Sequence, residues 1–254
     1  MNDTKVYLLD GGSLVIDGFH IFWNRGPGGE VRFPCYSVLV DHPEGKFIFD
    51  TGFDKKHVDA VLPFEKPMQT DEQTVPGALK LIGMDPGEIT HVVNSHYHFD
   101  HCGGNHHLTN ATTLCHAAEL DAARAPEVFE GLGYSDKAFD VADDIYTPRY
   151  ELLEGDVEIA AGVHLIETPG HTVGHYSMLV ELKGRQPMLF TADACYTQQN
   201  MDMNCIASFH VDPVASHDSM DLLRKLAQDR EAELFFSHDA ESYKHYMKAP
   251  GFYS

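Results

Sequence analysis

No run of about twenty apolar residues occurs in this chain of 254, so nothing in it reads as a membrane-spanning helix. Basic residues are scarce: 18 lysines and arginines stand against 39 aspartates and glutamates, a formal net charge of −21. Such a surface repels polyphosphate and argues against a nucleic-acid partner. A few bound divalent cations would offset part of that charge without reversing it. Disulfide signals are missing too. Cys35, Cys102, Cys115, Cys195 and Cys205 are odd in number, form no Cys-x-x-Cys pair and suggest no framework, so buried free thiols are expected. The N-terminus, Met1-Asn2-Asp3-Thr4-Lys5, lacks a basic region followed by a long apolar run. No export signal is therefore expected, and the cytoplasm is the expected location. Internal repeats and low-complexity linkers are absent as well, which leaves residues 1–254 as one expected domain.

A core can be built from what is present. Hydrophobic residues make up 43% and charged residues 22%, which excludes wholesale disorder. Val6–Leu9 and Leu14–Trp23 read as strands joined by a turn at Asp10-Gly11-Gly12. Tyr36–Val40 and Lys46–Phe49 form a second pair. Thr74 is expected to cap a helix carrying Pro76 in its first turn and stopping at Gly83. Glu119–Ala125 reads as helix, ended by Pro126. Residues 126–150 show no sustained period and suit a lid or substrate wall. Leu152–Ile159, Val163–Glu167, Tyr176–Leu182, Pro187–Thr191 and Glu233–Phe236 read as strands. Val214–Ala227 is the best amphipathic helix, with Val214, Leu222, Leu223 and Leu226 among its apolar positions. Interleaved strands and helices predict an α/β fold in layers.

The chemistry concentrates in His96-Tyr97-His98-Phe99-Asp100-His101, which follows the apolar run Thr90–Ser95 and precedes Gly103-Gly104. Strand alternation would put His96 and His98 on one face. It does not account for Asp100 and His101 at the following turn. Imidazole and carboxylate together suit zinc and, less exclusively, iron or manganese. Four donors on so short a loop do not fit one tetrahedral ion. His96 and His98 can converge on one ion while the turn aims Asp100 and His101 at a neighbour. Further donors stand after predicted strands: His171 in Thr168-Pro169-Gly170-His171, Asp193 in Thr191-Ala192-Asp193, and His238 in Phe236-Ser237-His238. His175 suits either a hydrogen bond that orients a ligand or simple packing.

Taken together, these motifs resemble the metallo-β-lactamase superfamily, over nearly the whole chain from Asp50-Thr51-Gly52 to His238. The resemblance implies a four-layer αβ/βα sandwich of two mixed sheets. It also implies two zinc ions per chain: His96, His98 and His171 holding one, Asp100, His101 and His238 the other, and Asp193 bridging them. The superfamily hosts several chemistries, so fold alone does not settle function. The charge argues against a ribonuclease. The sixteen residues after His238 argue against a glutathione-thioester hydrolase with a helical C-terminal domain. Asp193-Ala194-Cys195-Tyr196-Thr197 is similar to the Asp-Ala-x-Tyr-Thr segment of the N-acyl homoserine lactonase family. Within that family, Leu8–Leu14, Phe22–Glu30 and Phe99–Asn105 are similar to the 4-pyridoxolactonase branch.

The resemblance implies a lactonase that opens the ester of a small-molecule lactone. Tyr196 would then stabilise an oxyanion and Asp100 would carry the proton to the leaving alkoxide. Trp23 and Arg25, close together where a loop rich in glycine and proline begins, offer an aromatic surface and a cation. That pair leans the expectation to a flat, phenolic heteroaromatic lactone, with N-acyl homoserine lactones as the alternative. A mononuclear iron oxidoreductase on the same fold and a metal-stabilised, non-catalytic binding protein remain open.

Overall fold

The computed structural model describes residues 4–134 and 147–254. Alternation along the first strands sets the layering. Val6 and Leu8 of β1 (Lys5–Asp17) and Val38 and Val40 of β2 (Glu30–His42) enter one buried cluster, while Tyr7, Leu9 and Leu39 enter another. β3 (Gly45–Phe49), β4 (His91–Val93), β5 (Thr112–His116) and β6 (Arg149–Leu153) extend this sheet in sequence order. It is antiparallel from β1 to β3 and parallel from β3 to β6, hence mixed. A second mixed sheet contains β7 (Val157–Ala160), β8 (Val163–Glu167), β9 (Tyr176–Val180), β10 (Met188–Phe190) and β11 (Glu233–Phe235). Its order is β11-β10-β9-β8-β7, with only the β10–β11 pair parallel.

The first cluster joins the two sheets face to face: Val38, Val40, Phe47 and Phe49 meet Leu165, Met178, Val180 and Phe190. Helix Val75–Leu81 covers the outer face of the first sheet through Val75, Ala78 and Leu79. Helix Pro213–Arg230 covers the second through Met220, Leu223 and Ala227. Each of the larger side chains, Val75, Leu79, Met220 and Leu223, contributes about 1.5–3 kcal/mol on leaving water, before entropy is counted. Helix, sheet, sheet and helix make the four layers the motifs implied. Among the described residues, no helix is long and apolar enough to cross a membrane.

Several local expectations change. Asp10-Gly11-Gly12 is no hairpin turn: β1 runs on through it, and its pairing with β2 slips between Asp10 and Ser13. Gly12 takes φ +95°, so the glycines make a β-bulge. β1 ends at Asp17, and Gly18–Ile21 of the expected second strand is a helical turn. The strand before the histidines is only three residues long. His96 and His98 therefore sit on the loop beyond it, followed by the helical turn Phe99–Cys102. Thr74 caps its helix as expected, accepting from Gly77 N. The long helix buries Ser216, Ser219 and Met220, whereas Val214 and Leu222 are exposed. Ser219 donates to the Pro169 carbonyl and Ser216 lies against Gly170, close contacts that a purely apolar stripe does not anticipate. Of the span 126–150, where a lid or substrate wall is expected, residues 135–146 lie outside the described residues. All five cysteines are buried and free.

Candidate metal centre and its cavity

Each of the three later donors follows a strand of the second sheet: His171 after β8, Asp193 after β10 and His238 after β11. The sheet carries all three to one edge, where the histidine loop of the first sheet meets them. Two groups of donor atoms result. In the first, His171 Nε2 lies 2.9 Å from His98 Nδ1, 3.2 Å from His96 Nε2 and 3.4 Å from Asp193 Oδ2. In the second, Asp193 Oδ1 lies 3.1 Å from His238 Nε2 and 3.3 Å from His101 Nε2. Asp100 Oδ2 lies 3.6 Å and 3.7 Å from the same two nitrogens. One carboxylate, Asp193, faces both groups with different oxygens.

Tautomers are set from behind the rings. His171 Nδ1 donates to the Phe209 carbonyl at 2.6 Å, and His238 Nδ1 to the Pro34 carbonyl at 3.0 Å. His101 Nδ1 donates to Asp50 Oδ2 at 2.8 Å. Ser95 Oγ donates to Asp50 Oδ2 at 2.7 Å, which leaves the serine oxygen to accept from His96 Nδ1 at 2.9 Å. In each of these four rings Nε2 is therefore the nitrogen left facing inward, the one that can bind a metal. Burial holds His96 well below the ordinary imidazole range and drops His98 and His171 to about 3, so these rings are neutral. Burial opposes charge on Asp193 as well, but His101 and His238 outweigh it and keep the carboxylate ionised.

These residues fit a pair of cations. Two inward lone pairs at 3.2 Å, on His96 and His171, repel unless a cation lies between them. His101 Nε2 and Asp193 Oδ1 are buried without a hydrogen-bond partner. The edges of a tetrahedron built on metal bonds of ~2.0 Å are about 3.3 Å, close to the separations above. His96, His98 and His171 form one metal-capable set, and His96, His101 and Asp193 another.

The structure thus brings His96, His98, Asp100, His101, His171, Asp193 and His238 together. Tyr196 joins them, 94% buried, its ring centroid 5.0 Å from that of His238 and 6.0 Å from that of His171. Burial, reinforced by Asp193, raises its phenol well above the usual range and keeps the O–H protonated. Trp23 and Arg25 are not brought to this centre. Both are exposed, and neither lines the cavity, although Trp23 stands edge-on to His210, which does. Their loop turns outward through left-handed residues at Trp23 and Asn24.

Three residues position the donors from behind, and of these Asp50 and Glu119 carry no local signal of their role. Asp50 accepts from Ser95 N and Oγ as well as from His101. Glu119, fully buried, accepts from Tyr97 N and Gly174 N and ties the histidine loop to the His171 loop. His175, of the two roles open to it, takes positioning: its Nε2 accepts from Asp193 N at 3.1 Å, and its Nδ1 bonds Thr168 Oγ1.

Asp100, His171, Asp193, Tyr196 and His238 open into a cavity of about 360 Å³. Its walls include Ile21, Leu62, Phe64, Phe129, Leu132 and Phe209, and no lysine or arginine is among the lining residues described. Phe64, Phe129 and Leu132 are exposed at its mouth. Residues 129–133 thus do supply wall.

The profile of the metallo-beta-lactamase superfamily matches residues 31–238. The chain belongs to that superfamily. Within it, the chain falls in the N-acyl homoserine lactonase family. It is 31% identical to the N-acyl homoserine lactonase AttM of Azorhizobium caulinodans over the full length of both chains. It is 29% identical to the N-acyl homoserine lactonase AiiA of Bacillus thuringiensis subsp. kurstaki, with 96% of each chain covered. It is also similar to the structure of an N-acyl homoserine lactone hydrolase with N-hexanoyl-L-homoserine bound at its catalytic metal centre. That match has a TM-score of 0.87 and 28% identity and covers all of both chains. The family and the fold imply a dinuclear metal centre and lactone hydrolysis.

Proposed function

We propose that this chain is a dinuclear, metal-dependent N-acyl homoserine lactonase. The observation that carries the reading is an apolar cavity without a cation, opening directly onto the paired donor groups. An N-acyl homoserine lactone is neutral and has an aliphatic tail, which such walls suit. A phenolic pyridine lactone would want a cation, and Arg25 stands away from the cavity. The relatives point the same way, so the leaning to 4-pyridoxolactone gives way to the acyl homoserine alternative.

His96, His98, His171 and Asp193 Oδ2 would hold one ion, and Asp100, His101, His238 and Asp193 Oδ1 the other. Their nitrogen and oxygen donors and short edges favour zinc. A pair of such ions acidifies water and polarises an ester carbonyl. The chain supplies the rest. The cavity walls seat the acyl tail and exclude water from the ring. Tyr196, kept protonated, donates its O–H to the oxyanion that develops at the lactone carbonyl. Asp100, which lines the cavity, would take the proton given up by the attacking water and pass it to the departing ring oxygen.

The test is a substrate panel: N-hexanoyl- and N-decanoyl-homoserine lactone against 4-pyridoxolactone, with ring opening followed by proton release. Efficient opening of the acyl series and little of 4-pyridoxolactone is the expected result. The reverse order overturns the assignment.

A further inference from the structure

Asp100 and His238 line two cavities. One is the substrate cavity; the other, of about 20 Å³, is lined also by Cys35, His101 and Ser237. Cys35 lines only the small one. Space of that size takes about one water-sized group. Its walls are not those of a dry packing defect. Ser237 Oγ and His101 Nε2, both more than nine-tenths buried, lack hydrogen-bond partners there. A donor atom from each of Cys35, Asp100 and His238 lies within 4.8 Å of the others.

The backbone explains why the thiol is there. Opposite Cys35, β1 carries its two-glycine bulge, and Gly11 lies so close that an added Cβ would stand 2.9 Å from the Cys35 carbonyl. The preceding carbonyl, of Pro34, accepts from His238 Nδ1. One short segment therefore both orients His238 and presents the sulfur beside it. Cys102, next to His101, is differently engaged: its thiol donates to the Tyr97 and His98 carbonyls.

We propose that Cys35 is a further donor to the second metal subsite, entering from the small cavity, so that this subsite prefers softer divalent ions than its neighbour. The inference rests on the dinuclear reading above. On binding, the S–H bond is replaced by a sulfur–metal bond and the proton leaves to solvent; nothing is oxidised or reduced. The two subsites then differ in kind. The first offers imidazoles and one carboxylate oxygen. The second adds a thiolate, which Cd²⁺ and Co²⁺ accept more readily than Mn²⁺ does.

The test uses the full chain, stripped of metal and titrated with Co²⁺. Thiolate coordination gives an intense near-ultraviolet charge-transfer band that nitrogen and oxygen donors do not give. The band should appear with one of two Co²⁺ equivalents and be lost in Cys35→Ser and Cys35→Val, each checked for folding by circular dichroism. Affinity of that equivalent for Cd²⁺ should fall on the order of tenfold in Cys35→Ser, with Mn²⁺ nearly unchanged. Two bound equivalents without a band overturn the role of Cys35 and leave the dinuclear reading intact, as does a band that persists in the variants. Failure to bind Co²⁺ at all overturns both. The wild-type spectrum alone decides against the proposal even if neither variant folds.

Discussion

Asp50→Asn isolates how the second donor group is held. Asp50 accepts three hydrogen bonds: from Ser95 N at 2.7 Å on Oδ1, and from Ser95 Oγ at 2.7 Å and His101 Nδ1 at 2.8 Å on Oδ2. Asparagine has nearly the same shape but one acceptor fewer. If its oxygen stays against Ser95 N, its NH₂ faces His101 Nδ1 and drives the ring proton to Nε2, where a metal must bind. If it flips, its NH₂ meets the Ser95 N–H. One hydrogen bond to a charged group is lost either way, worth about 1.5–3 kcal/mol. At about 1.4 kcal/mol per decade, that is roughly a 10- to 150-fold loss in affinity. His96 feels Asp50 only through Ser95, so the first ion should weaken less. Titration of stripped protein with Zn²⁺ against a chromophoric chelator resolves the two equivalents, and circular dichroism confirms the fold. Unchanged affinities for both equivalents, within about twofold, would refute the reasoning, because even the low end of the hydrogen-bond estimate exceeds that.

Tyr196→Phe removes one hydroxyl and no donor to metal; kcat should fall about 10²-fold at unchanged metal content, and a loss under twofold makes Tyr196 a packing residue. Phe64→Ala at the cavity mouth should raise KM for N-decanoyl-homoserine lactone about tenfold, from lost apolar contact, and barely move a short-chain substrate; equal effects on both dissociate the tail from this wall. In the metal-free protein, burial, with Asp100 adding to it, pushes Glu65 from 4.5 up to about 7. Its folded pKa lies above its unfolded one, so stability falls as pH rises from 4.5 through 7 and levels off above. Glu65→Gln should then stabilise the metal-free protein at pH 8 relative to its parent, on the order of 1 kcal/mol after screening of a half-exposed group, and not at pH 4. Denaturant curves showing the same difference at both pH values would contradict this.

The donor positions were legible because metal chemistry restricts residue type and strands deliver side chains to one edge; nothing about them needed a distant contact to be suspected. Asp50, Ser95 and Glu119 were not, since their roles arise only where chain segments far apart meet. Ser95 and Asp50, which touch at 2.7 Å, are 45 residues apart. Gly11-Gly12 misled for a local reason: a positive φ serves a bulge as well as a turn. The stripe through Val214 and Leu222 misled because the helix turns Ser216 and Ser219 inward against the Pro169-Gly170 loop instead. Trp23 and Arg25 lie two residues apart, but a left-handed backbone at Trp23 and Asn24 turns them away from the cavity. Cys35 read as one more buried thiol, and its nearness to Asp100 and His238 emerges only from the strand register.

The most direct test follows the opening of N-hexanoyl-homoserine lactone while metal-stripped protein is titrated with Zn²⁺. Paired donor groups around Asp193 predict activity that climbs to its maximum at two ions per chain. Full activity at one equivalent or fewer, or no ring opening at any loading, would contradict the account.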